Sequence, residues 1–132
     1  QAAGSDQRLP WEKLFFDQNF EKPLVAPIRA EYTQALEMVR LAPSASNRQP
    51  WRMIKDGDRW HFYLRRSRGY RSNNYAKMLQ LADLQRVDMG IAMCHFELTL
   101  RELGASGEWD VSDPGLDLPE LVEYSVSWKN IA

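Results

Sequence analysis

The sequence predicts an α+β domain: a small, mostly antiparallel sheet packed with helices, one of them long and central. Three observations carry that expectation. Residues 28–41 place apolar side chains at helical spacing, residues 51–64 form two apolar runs around Asp56-Gly57-Asp58, and residues 86–103 carry a long helical pattern that stops at Gly104. Helical and strand patterns in one short chain imply helices laid on a sheet.

The elements follow in order. Residues 1–27 read as an N-terminal arm, with a short helical turn at Trp11–Phe16 and then an extended run. Its Trp11, Leu14, Phe15, Phe16 and Phe20 need cover from this domain or from a partner. The domain proper is expected over 28–132. In its first helix Ile28, Tyr32, Leu36 and Val39 share a face, and Pro43 ends it by disfavouring the α conformation at Ala42. Trp51–Lys55 and Arg59–Leu64 are strands of a hairpin whose turn holds Gly57. A basic, polar loop over 65–74 and a further helical turn at Lys77–Leu81 come next.

The long helix is expected from Arg86 to Leu103, with Asp83 as N-cap and Asp88 near the positive end of the helix dipole. Val87, Ile91, Cys94 and Leu98 form one stripe; Met89, Met93, Phe96, Leu100 and Leu103 form a second. Two stripes are wider than one core requires, so the helix is expected to be central or at a subunit contact. Cys94 reads as a buried small hydrophobe. Gly104 suits the position just past the helix. Residues 123–129 alternate Tyr124, Val126 and Trp128 with Ser125, Ser127 and Lys129, as in a half-buried strand.

Composition narrows function. With 17 basic and 18 acidic residues the net charge is -1, which speaks against nucleic acid and against a polybasic membrane anchor. One cysteine excludes an intrachain disulfide, and two histidines make a poor zinc set. No apolar run approaches the roughly 20 residues of a membrane span, and no signal peptide is recognisable. An intracellular, cytoplasmic domain without metal is expected. The opening QAAGSDQRLP, with no initiator Met, reads as part of something longer, with a processed or trimmed terminus as the alternative.

The densest stretch is LAPSASNRQPWRMI, residues 41–54. Pro43 and Pro50 restrict the backbone between them, and Ser44, Ser46, Asn47 and Gln49 put donors and acceptors on short stems. Nothing here is a strong base or an activated nucleophile. Such a rim suits a planar heterocycle edged with carbonyls and ring nitrogens. It also suits a helix-to-strand turn whose Ser and Asn cap local backbone.

APSASNRQPWR resembles the Pro-Ser-x-x-Asn-x-Gln-Pro-Trp loop of the FMN-dependent nitroreductase family. VDMGIAMCHFELTLRELGASGEW resembles that family's Asp-x-Gly helix with its Gly-containing end, and the shared order of elements covers roughly 28–110. The arm RLPWEKLFFDQNFEKPL resembles a nitroreductase branch whose members carry another half upstream, which would make this the C-terminal part. The resemblance implies an FMN-dependent NAD(P)H oxidoreductase that passes hydride from a nicotinamide to FMN and on to a nitro compound, a quinone or a similar acceptor. It also implies a homodimer, or pairing with an N-terminal half, with flavin at the interface. By resemblance Pro43, Ser44, Ala45, Ser46 and Asn47 contact the ring, Gln49 and Arg52 extend the site, and Gly107 offers a backbone N–H to the reactive flavin nitrogen. No catalytic side chain is assigned.

One departure stands out. The family's early Arg-x-Ser segment, which grips the FMN phosphate, has no counterpart before Pro43; Arg8 and Arg29 lack such neighbours. LRRSRGY, with Arg65, Arg66 and Arg68, follows the loop instead, as a solvated basic loop or as a phosphate contact. A cofactor-free dimerisation or binding domain that keeps the fold is the alternative reading of the whole chain.

Overall fold

A computed structural model describes residues 7–25, 27–66 and 75–131, with 75–82 described by backbone alone. Along the chain run α1 (Trp11–Leu14), β1 (Phe15–Asp17), α2 (Ala30–Leu41), a 3-10 turn (Ala45–Asn47), β2 (Trp51–Asp56), β3 (Arg59–Arg65), α3 (Tyr75–Glu102), β4 (Ser106–Asp110) and β5 (Val122–Ile131). The strands form one mixed sheet in the order β1-β2-β3-β5-β4. Only β1 and β2 run parallel; the other neighbours are antiparallel. The expected α+β class, with its small and mostly antiparallel sheet, is what the chain forms.

The helices cover one face of the sheet. Alternation puts Trp51 and Met53 of β2, Trp60, Phe62 and Leu64 of β3, and Trp128 of β5 on that face, all buried in one cluster with Tyr32, Leu36 and Val39 of α2. From α3 come Met89, Ala92, Phe96 and Leu100. Their spacing of three to four residues keeps one stripe of α3 turned inward. Tyr32 stacks on Trp60 with ring centroids 5.5 Å apart, and its hydroxyl accepts a hydrogen bond from Trp128 Nε1 at 3.1 Å. That bond gives the Trp128 N–H and the Tyr32 hydroxyl each a partner inside the core, as buried aromatic polar groups require.

The arm is part of this body. β1 pairs with β2, Leu14, Phe15 and Leu24 are buried in the core cluster, and Phe20 lies edge-on to Tyr63 at 4.9 Å on the outer face. Its aromatics therefore find their cover within the chain. No sequence pattern marked β1, because three residues are too few to show a period.

The long helix departs from expectation in two ways. It is one continuous element from Tyr75 to Glu102, so the turn expected at Lys77–Leu81 is its first part. Asp83 lies within it and is no N-cap, and Asp88 is too deep in the helix to sense its positive end. The side-chain rule that flags Asp as a start signal cannot tell a cap from an Asp held by a tertiary contact. At the other end Gly104, at φ 81°, closes the helix, with Ala105 N–H on Leu100 O and Gly104 N–H on Arg101 O. That is the paired closure glycine permits.

Cys94 is the other departure: it is exposed instead of buried. It lies on the first of the two stripes, where Val87 and Leu98 are each 60% exposed and Ile91 is half-buried, with Leu84 exposed one turn before. No described helix is long and apolar enough to cross a membrane.

Candidate functional site

The segment between α2 and β2 is held in a conformation that L-residues seldom adopt. Ser46, Asn47 and Gln49 all have positive φ, at 52°, 52° and 49°. Each such residue costs on the order of 1–2 kcal/mol and persists only where its surroundings hold it. Here they do. Ser44 Oγ accepts the Gln49 N–H at 2.9 Å across the turn, and Asn47 N–H bonds Ser44 O. From α3, both carboxylate oxygens of buried Asp88 accept the Ala45 N–H at 3.1 Å. The two stretches that carry the family resemblance thus meet, and Asp88 is the residue that joins them. Burial pushes its pKa up, opposed by the Ala45 hydrogen bond.

The arm closes the loop from the other side. Arg8 Nη1 donates to Asn47 Oδ1 at 3.1 Å, and Leu9 N–H donates to Gln49 Oε1 at 2.7 Å. Asn47 Nδ2 and Gln49 Nε2 both donate to Gln7 O at 3.3 Å, and Gln49 Nε2 also reaches Asn47 O at 3.0 Å. Gln49 is buried by these contacts. The turn reading of the loop holds for three of its side chains: Ser44, Asn47 and Gln49 brace local backbone and arm. Ser46 does not. It is exposed, and neither its hydroxyl nor its N–H has a partner among the described residues. Pro43 is exposed beside it.

Arg52 leaves the loop on β2 and folds back over it, Nη1 donating to Gln49 O and Trp51 O at 2.7 Å each. Burial, with Arg65 adding a like charge, pulls its pKa down to about 10. Arg66 is buried and pairs with Glu123 at 2.6 Å. Arg68 lies outside the described residues.

Pro43 to Gln49 and Arg52 thus form one contiguous patch, whereas Gly107 stands apart. It is not in the turn after α3 but within β4, opposite Asn130, three strand positions from β2. The Trp128 ring lies over its α-carbon. Glycine is required there for space, and that requirement is invisible until β4 and β5 are paired. Two contacts escaped the sequence reading: the Asp88 link, whose one signal was its place in the Asp-x-Gly stretch, and the Gln7–Leu9 clamp, which left no signal.

The α+β fold, with its Pro-Ser-x-x-Asn loop tied to the Asp-x-Gly helix, fits a nitroreductase-like domain. The chain belongs to the nitroreductase family described as "Putative TM nitroreductase", whose model matches residues 23–100. No curated protein matches it.

Proposed function

We propose that the chain belongs to an FMN-dependent NAD(P)H oxidoreductase that reduces a small acceptor such as a nitro compound or quinone, and that Pro43–Asn47 forms the ring-binding rim. The observation that supports this most is Ser46, an exposed residue whose N–H and hydroxyl have no partner among the described residues, on a loop locked from both sides. The donor set fits a flavin edge, which offers carbonyls and ring nitrogens to such groups. Bound flavin would accept hydride from the nicotinamide and pass electrons to the acceptor. The chain's own contribution is placement: Asp88 holds Ala45, Ser44 holds Gln49, and the loop loses little freedom when a ring settles on it. Whether the longest natural form purifies yellow, with flavin absorbance and NAD(P)H oxidation, is the direct test. A colourless, inactive protein would favour the cofactor-free binding domain.

Ser46→Gly sharpens that test. Glycine adopts positive φ without strain, so the melting temperature is expected to hold or rise slightly. FMN affinity is expected to fall about twofold to tenfold, for a lost hydrogen bond of roughly 0.5–1.5 kcal/mol. Unchanged affinity would remove the hydroxyl from the site.

The same reading includes a partner, a second copy or an N-terminal half, on the outer stripe of α3. Leu84, Val87, Ile91, Cys94 and Leu98 recur at the three-then-four spacing of a helix-pairing seam. The exposed rim also leaves one side of a bound ring uncovered by this chain. Leu98→Glu is expected to convert a sedimenting dimer to monomer, and mild oxidation to cross-link the dimer through Cys94. A wild-type monomer at micromolar concentration would count against the pairing.

A further inference from the structure

Among the described residues, two arginines beside the loop lack a countercharge. Arg52 lies opposite Tyr63 in the β2–β3 ladder. Side chains alternate along a strand, so Arg52, Tyr63 and Arg65 share the outer face, with Arg65 diagonal to Arg52 and within reach of a long side chain. Arg65 N–H donates to Pro50 O at 2.7 Å, which anchors that end of β3 at the loop's exit. Both carbonyls that Arg52 meets are neutral and both use Nη1. Among the described residues no carboxylate pairs with either arginine. The nearby acids are committed elsewhere: Asp56 to His61 Nε2 at 3.3 Å, Asp113 to the Gly115 N–H at 2.9 Å, and Glu123 to Arg66. Two guanidinium groups held on one face, one of them half-buried, repel each other unless an anion joins them.

We propose that Arg52 and Arg65 form an anion site on the outer face of the β2–β3 hairpin, and that its ligand is the phosphate monoester of the flavin. The identity of the ligand rests on the flavin reading; the anion site itself rests on the two arginines. Planar guanidinium forks match phosphate oxygens two at a time. Through Gln49 O, Arg52 is tied directly to the ring-binding loop, so ring and phosphate would be held by adjoining residues. This places the phosphate grip after the loop, where the chain departs from the family's usual order.

The experiment titrates the full chain with FMN, riboflavin and inorganic phosphate, in wild type, Arg65→Gln and Arg52→Lys. Arg65 is exposed, so its change leaves the fold intact, as far-UV circular dichroism checks. Arg65→Gln is expected to weaken FMN at least tenfold and leave riboflavin unchanged. Wild-type preference for FMN over riboflavin, kept in full by both variants, would overturn the site. If no flavin binds to any form, the flavin reading fails separately. Phosphate binding that Arg65→Gln abolishes would then still sustain the anion site, and no phosphate binding by wild type would overturn it.

Discussion

Asp88→Ala is expected to destabilise the protein by about 1–3 kcal/mol, the usual cost of leaving a partly buried N–H without its acceptor, and to loosen the loop at its first residue. Asp88→Asn behaves differently. It keeps an oxygen for the Ala45 N–H and removes a charge that burial disfavours, so its melting temperature at neutral pH is expected to equal or exceed that of wild type. The pH dependence has a definite sign. Burial raises the Asp88 pKa above its unfolded value, so the folded state binds more protons in that window. Its contribution to stability is therefore largest at low pH and declines as pH rises from the unfolded value through the folded one. Subtracting the Asp88→Asn curve from wild type isolates this slope from carboxylates of opposite sign, such as Glu97, which hydrogen bonds from Trp109 and Arg101 hold below its usual range. Thermal melts across pH, with exchange of the Ala45 amide, are the measurement. Alanine as stable as wild type, with that amide equally protected, would refute the anchoring role.

Gly107→Ala is the second large effect. The added methyl would overlap the Trp128 indole, which has no room to retreat. Trp128 is buried, bonded to Tyr32 and packed edge-on against Trp109 at 4.9 Å and Phe96 at 5.6 Å. Overpacking of a rigid ring costs typically about 1–3 kcal/mol, and here β4 must shift on β5 to relieve it. The control is Gly90, exposed on α3 with nothing within 4 Å of an added Cβ. There alanine is expected to stabilise by about 0.5–1 kcal/mol, as in any helix interior. Denaturant midpoints of the two variants should move in opposite directions; a shift of the same sign in both would contradict the packing account of Gly107.

How much was legible depended on whether the signal was local. The turn at Gly57, the stop at Pro43, the helix end at Gly104 and the strand at residues 123–129 each follow from chemistry within a few residues, and each stands where the pattern put it. The loop's rigidity was legible for the same reason, since two prolines and an Asn able to take positive φ lie within it. Length defeated the reading of β1 and β4, at three and five residues. In α3 the sequence showed two apolar stripes but not which one is covered. Met89, Phe96 and Leu100 are buried and Val87 and Leu98 exposed because the sheet has one face to offer, and that face exists only once β2, β3 and β5 are aligned.

The sequence by itself determined the family, the order of its main helices and strands and the loop that marks the site, because periodicity and backbone restriction act between near neighbours. Tertiary structure alone decided that Asp88 holds the loop, that Gly107 serves packing beneath Trp128, and that Arg52 and Arg65 share a face. Each of those depends on groups from different elements brought within a few ångströms by strand register and helix docking, and no local property of the chain encodes that distance.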